Sequence, residues 1–362
     1  MTVVAVTLSI DSSVGQDNVR AQLDPRVSDP ARMSSTSLTT TSTISAAPAS
    51  TSPSPRTTSN AAPPTATAAK LSPKVTPSHS RVAPAPVPPA PPHIMVIMME
   101  NESYSDVIGN ASLPFLNGTL AAHYLLLEQA YAVGHPSLPN YLELLSGSTW
   151  GTSSDCAPGP GCEGNTSLPG QLDRAGIGWA GYMESMPMAG YSGGDTGGPD
   201  GYGNDFYVQH HNPFVYFPSL ASELTAHVKP LTSMLPDLDS ANPPAFVWIS
   251  PNMLDDMHDG PSSVGDAWLS QQIPAIQSTP WYRKGGTIVL AWDEGKDSDT
   301  SGIAGGSGGQ VAVVVISQAL YGSAPDTTPV DTAGILRSIE RAFGPALLND
   351  AADPSHGSIS GL

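Results

Sequence analysis

The sequence predicts an α/β sandwich in which a central, mostly parallel sheet is flanked by helices and a ligand site lies at the carboxyl ends of the strands. Three observations carry this. Four apolar runs, rich in β-branched residues, are continuous rather than alternating, as strands buried on both faces require. Segments with helical patterning stand between and after them. Two long glycine-rich segments are unsuited to a core and suited to border a site.

The elements follow in order. The first strand is His93–Glu100 (HIMVIMME), ending in polar residues. Helices are expected at Leu138–Leu145, Ser219–Lys229 and the Met234–Asp239 region, and a second strand at Ala245–Pro251. A helix over Gly265–Gln277 precedes the third strand, Gly286–Asp293. The fourth, Gln310–Gln318, precedes a helix over Thr332–Phe343. The glycine-rich segments are Gly190–Gly203 and Gly295–Gly309.

All of these elements fall in residues 93–362, long enough for one full core. Residues 1–92 are dominated by Ser, Thr, Pro and Ala and have few large side chains to offset the entropy of ordering, which predicts a disordered tail. The formal charge is −18, and 7 of the 14 basic residues (Arg20, Arg26, Arg32, Arg56, Lys70, Lys74 and Arg81) lie in that tail. The acidic remainder cannot neutralise a nucleic-acid backbone, so no nucleic-acid partner is expected. No apolar run is long enough for a transmembrane helix. Cys156 and Cys162 flank a Gly/Pro-rich loop that a disulfide could close, although two unremarkable loop thiols fit as well; two thiols without a second pair make no zinc site. The tail and the cysteines suggest a secreted or cell-surface protein. The start, MTVVAVTLSIDSSVG, lacks the basic residues of a signal.

The chemistry stands at the strand ends. The first strand runs into Glu100-Asn101 and the third into Asp293-Glu294. Two pairs of hard oxygen donors, far apart in sequence, can converge on a divalent cation. Either pair alone would read as an ordinary loop or cap. Between them lies GHPSLPNYLELLSG, with Ser137 at a helix N-cap position and Pro139 early in the helix. That serine is either a plain cap or a hydroxyl set at a helix terminus that favours a phosphoryl group.

Together these residues carry a resemblance. The stretches VIMMENESYSDVIG, GHPSLPNYLELLSG, HHNPF, SPNMLDDMHDG with GDAWL, and VLAWDEG occur in that order between residues 94 and 295. In them the chain resembles the phosphoesterase family that groups bacterial acid phosphatases with bacterial phospholipases C, within the alkaline-phosphatase-like superfamily. The resemblance implies that fold. It makes Glu100, Asn101, Asp293 and Glu294 metal ligands and Ser137 the nucleophile that also touches the metal. It makes His258 the general acid or a phosphate contact, and places His135, Asn140, His210, His211 and Asp259 around the substrate. The set is chemically coherent, because a serine hydroxyl needs a metal or a base to become nucleophilic and a leaving alkoxide needs a proton. Asp255, Asp256 and Asp259 crowd His258, and the sequence does not say which binds metal and which orients the imidazole. The paired histidines also read as polar loop residues. The cofactor is a divalent metal ion of open identity and number, since oxygen ligands suit Ca²⁺, Mg²⁺ or Mn²⁺ and histidines admit Zn²⁺ or Fe.

The expected function is a metal-dependent phosphomonoesterase of the acid phosphatase kind, acting on small phosphorylated substrates through a phosphoserine. The alternatives are a phospholipase C, which would meet phospholipid head groups, and an inactive surface-binding relative. The short stretch after the last helix, without room for added β-rich domains, favours the first.

Overall fold

The four apolar runs become neighbouring strands in a computed structural model that describes residues 90–362. The expectation for the tail therefore falls outside the described residues, apart from its last three. Along the chain the strands are β1 (Ile94–Met99), β2 (Leu125–Tyr131), β3 (Trp179–Met183), β4 (Thr196–Pro199), β5 (Asp205–Tyr207), β6 (Val228–Pro230), β7 (Phe246–Ser250), β8 (Thr287–Trp292), β9 (Gln310–Ile316) and β10 (Val330–Asp331). The helices of eight residues or more are α1 (Ser137–Ser146), α2 (Leu168–Ala175), α3 (Ser263–Gln277) and α4 (Thr332–Phe343).

Eight strands form one sheet in the order β10-β2-β9-β8-β1-β7-β3-β6. Every neighbouring pair is parallel except those involving β9, which runs antiparallel to both β8 and β2. In the centre, Ile97 stands opposite Ile249 on β7 and Leu290 on β8. β1, β3 and β7 are buried along their whole length, as continuous apolar strands covered on both faces should be. Helix α1 is buried at every residue, polar ones included, and packs against α4. That is the pattern of a helix inside a core rather than on its surface.

Three expectations need correction. Ser219–Lys229 is not one helix: a 3₁₀ turn at Pro218–Leu220 and a short helix at Leu224–His227 lead directly into β6. Pairing Val228–Pro230 with Gly181–Met183 satisfies the edge of the sheet and buries Val228, which outweighs local helical preference. Gly190–Gly203 is not wholly loop, since Thr196–Pro199 pairs with β5 as a two-stranded ribbon. Ser137 is the first residue of α1 rather than its N-cap, and Pro136 holds the cap position. Strands β2, β3 and β10 and helix α2 also went unread. β3 (WAGYM) hides because its middle is small: a Cβ on Gly181 would run into the ring of Phe214. Cys156 and Cys162 are joined in a disulfide. Among the described residues no helix is long and apolar enough to cross a membrane.

Candidate active site

Parallel register builds the centre of the site. Met99 stands opposite Trp292, so Glu100 and Asp293 leave β1 and β8 side by side. The Asn101 N–H donates to Asp293 Oδ1 at 3.1 Å, and Asn101 takes left-handed backbone (φ 49°), which Asn tolerates better than most residues. Helix α1 brings Ser137 to this edge. Its Oγ lies 3.2 Å from Glu100 Oε2, 3.2 Å from Glu294 Oε1 and 3.4 Å from Asn101 Oδ1. A hydroxyl has one proton, so it can satisfy only one of these three oxygens at a time. The remaining lone pairs converge as a cation-binding cage would have them.

A second set of groups shares Glu100. His211, from a 3₁₀ turn at Gln209–His211, has Nε2 3.5 Å from Glu100 Oε1 and Nδ1 3.4 Å from Asp256 Oδ2. Glu100, His211 and Asp256 are all buried, and each offers a ligand atom within 4.8 Å of the others. His211 Nε2, Asp256 Oδ2 and Asp293 Oδ2 are buried without a hydrogen-bond partner among the described residues. Buried polar atoms are rarely left so, and a donor set of carboxylates with a neutral imidazole fits a divalent metal ion. The residues therefore fit the ion that the resemblance implies.

The electrostatics agree. Burial holds the Glu100 carboxyl well above its ordinary range, with Asp293 and Asp256 adding to the shift. Burial pushes Asp293 up to about 6 and, with the Asp293 charge, Glu294 up to about 9. Burial also holds His211 well below its usual value, so its ring is neutral and free to ligate. Carboxyls this close in a dry site cannot all be ionised without positive charge among them.

The other site residues from the sequence are placed as follows. His135 Nδ1 lies 2.6 Å from Glu294 Oε2 and its Nε2 3.0 Å from the Asp299 carbonyl, so the Gly295–Gly309 loop does border the site. His258 sits half-buried at the rim, with Nδ1 3.0 Å from Asp259 Oδ1 and its ring 6.0 Å from that of His211. Between Asp256 and His258, Met257 takes left-handed backbone (φ 81°), a costly geometry that presents both neighbours to the site. Asp259 stands behind His258, its other oxygen accepting from Asn204 Nδ2 at 2.9 Å. His210 packs edge-on against His211, and burial lowers its pKa. Asn140 is spent on the backbone: Oδ1 accepts from the Val133 and Gly134 N–H groups, and Nδ2 donates to the Gly134 carbonyl. It shapes the loop before Ser137.

Two residues were missed and one was left undecided. Asp155, next to the disulfide, accepts from Leu138 N at 2.9 Å and so takes the helix-terminus role assigned to Ser137. Tyr141 donates its phenol proton to Glu100 Oε1; its place one turn after Ser137, on the same helical face, was the available signal. Asp256, not distinguished from its acidic neighbours in sequence, is the one that faces His211.

Residues 112–346 match the model of the phosphoesterase family. A "Phosphatidylinositol-3-phosphatase" from Mycobacterium tuberculosis is 32% identical over 213 residues, covering 58% of this chain and 66% of the relative. An "Acid phosphatase" from Aspergillus fumigatus is 31% identical over 200 residues, covering 55% of this chain and 43% of the relative. The chain thus spans less than two thirds of either relative. A solved structure of an alkaline phosphatase superfamily protein from Vibrio parahaemolyticus superposes with a TM-score of 0.52 at 10% identity, covering 73% of this chain and 70% of that one. This likeness is one of fold.

Proposed function

Because the chain belongs to the phosphoesterase family, we propose that it is a metal-dependent phosphatase that hydrolyses phosphate monoesters with Ser137 as nucleophile. The observation that carries this reading is the position of Ser137 Oγ at the start of a buried helix, within 3.4 Å of oxygens from Glu100, Asn101 and Glu294. The relatives' names support monoesters over the diesters of a phospholipase C.

Glu100, Asn101, Asp293 and Glu294 would hold a divalent ion beside Ser137, with His211 and Asp256 on the far side of Glu100. Such an ion supplies positive charge that lowers the pKa of a nearby hydroxyl and offsets charge on phosphoryl oxygens. The rest of the chemistry belongs to the chain. Glu100 Oε2 and Glu294 Oε1 each stand 3.2 Å from the hydroxyl and, in the ionised form that a bound cation would favour, can take its proton. Oγ attacks phosphorus, and the bond to the leaving oxygen breaks as His258 gives that oxygen a proton. Asp259 holds His258 Nδ1, which leaves Nε2 for the transfer. Water then attacks the phosphoserine, releasing phosphate and restoring Ser137. His135 orients Glu294 through their 2.6 Å contact. The disulfide supports export to an oxidising compartment.

The test is release of chromophore from paired mono- and diester substrates, with and without chelator. Ser137→Ala should abolish turnover with the fold unchanged. A variant retaining more than about a hundredth of the wild-type rate, a loss that removal of acid–base help alone can produce, would strip Ser137 of its role.

A further inference from the structure

Tyr141 lies wholly inside the protein, one helical turn past Ser137, and contacts two of the residues that line the metal cage. Its phenol donates to Glu100 Oε1, while the other oxygen of that carboxylate, Oε2, faces Ser137 Oγ at 3.2 Å. Its ring stacks on His211, with centroids 5.3 Å apart and planes 6° from parallel, and Trp248 backs it at 5.7 Å. In that stacked plane the two nitrogens of His211 point to different carboxylates, Nε2 towards Glu100 and Nδ1 towards Asp256.

From these contacts we infer that Tyr141 is a positioning residue of the metal centre, holding Glu100 so that Oε2 is offered beside the nucleophile and holding His211 in the rotation that faces both carboxylates. The physical basis is the hydrogen-bond capacity of a carboxylate. An oxygen that already accepts a phenol proton is a poorer ligand, so the phenol steers a cation towards Oε2 and hence towards Ser137. Stacking adds a second constraint, because the imidazole lies parallel to a buried ring that Trp248 backs in turn. Since Tyr141 and Ser137 share α1, nucleophile and ligand orientation are set by one rigid element.

The inference rests on the proposed metal centre, and its test separates the two. Chelator-treated full chain would be titrated with Mn²⁺ by calorimetry, comparing wild type, Tyr141→Phe and Tyr141→Leu. The phenylalanine variant keeps the ring, the stacking and the core volume and loses one hydroxyl. We expect Tyr141→Phe to weaken Mn²⁺ binding about tenfold, the lower end of what orienting partners contribute, with unchanged far-ultraviolet circular dichroism. Tyr141→Leu should weaken it further as His211 is released. A role in packing alone would leave the phenylalanine variant within twofold of wild type, and that result would overturn the inference. Equal affinity of the two variants would remove His211 from it. Failure of the wild type itself to bind Mn²⁺ would overturn the metal centre first and the inference with it.

Discussion

Asp256 and His258 are two residues apart, yet one faces the buried His211 and the other stands at the rim beside Asp259. Their division of labour gives a prediction at the scale of a side chain. If Asp256 helps to hold the ion, Asp256→Asn should raise the metal concentration for half-maximal activity at least tenfold, the scale on which even outer partners act. An unchanged requirement, read by titrating metal into chelated enzyme, would confine the centre to the Ser137 side of Glu100. At this scale the strand-end places of Glu100, Asn101, Asp293 and Glu294 were legible in the sequence, because polar residues that follow a buried apolar run emerge where the strand ends. His211 was legible as a candidate but not as a neighbour of Asp256. Nothing local links a 3₁₀ turn at residue 211 to a turn at residue 256.

Elements carry effects that single residues do not show. The turn between β4 and β5 is tied to the proposed general acid through Asn204, which holds Asp259, which holds His258. Loss of one such hydrogen bond is worth about 1 kcal/mol, or about fivefold in rate. Asn204→Ala should therefore slow alkyl phosphates about fivefold and leave aryl phosphates, whose leaving oxygen needs little protonation, nearly unchanged. Equal losses on both would disconnect the ribbon from proton transfer. Helices α1 and α4 carry a second effect, since burial pushes Glu143 on one and Glu340 on the other up to about 8. Both are thus protonated in the folded protein at neutral pH, whereas in the unfolded chain they ionise near their ordinary value of about 4.3. A raised folded-state value means stability fully present below the unfolded value and lost as pH rises through the folded one. The melting temperature should then fall between about pH 5 and pH 8, and Glu340→Gln, which keeps an acceptor for the Leu348 N–H, should flatten that slope. A slope identical to wild type would remove Glu340 from the account.

For the molecule as a whole, the core of the described residues lies within 93–362, and we propose that the chemistry lies there too and that residues 1–92 contribute to neither. A chain starting near Pro91 should melt and turn over as the full chain does, and a large drop in melting temperature on truncation would show otherwise. By itself the sequence determined the central strands, because short continuous apolar runs rich in β-branched residues and bounded by polar residues or glycine suit a sheet covered on both faces. It also determined the polar pairs that end two of them and a helix over Leu138–Leu145 with Ser137 at its start. The tertiary structure decided which atoms meet. Met99 lies opposite Trp292 only because β1 and β8 pair in one particular register, and that register puts Glu100 beside Asp293. The short edge strands β6 and β10 exist only because a neighbour offers unpaired backbone groups. Ser137 faces Glu100, while Asp155, delivered from another loop, accepts from the Leu138 N–H at the helix start. Local residue pattern specifies which segments are buried, whereas hydrogen-bond satisfaction across distant segments specifies where each side chain points.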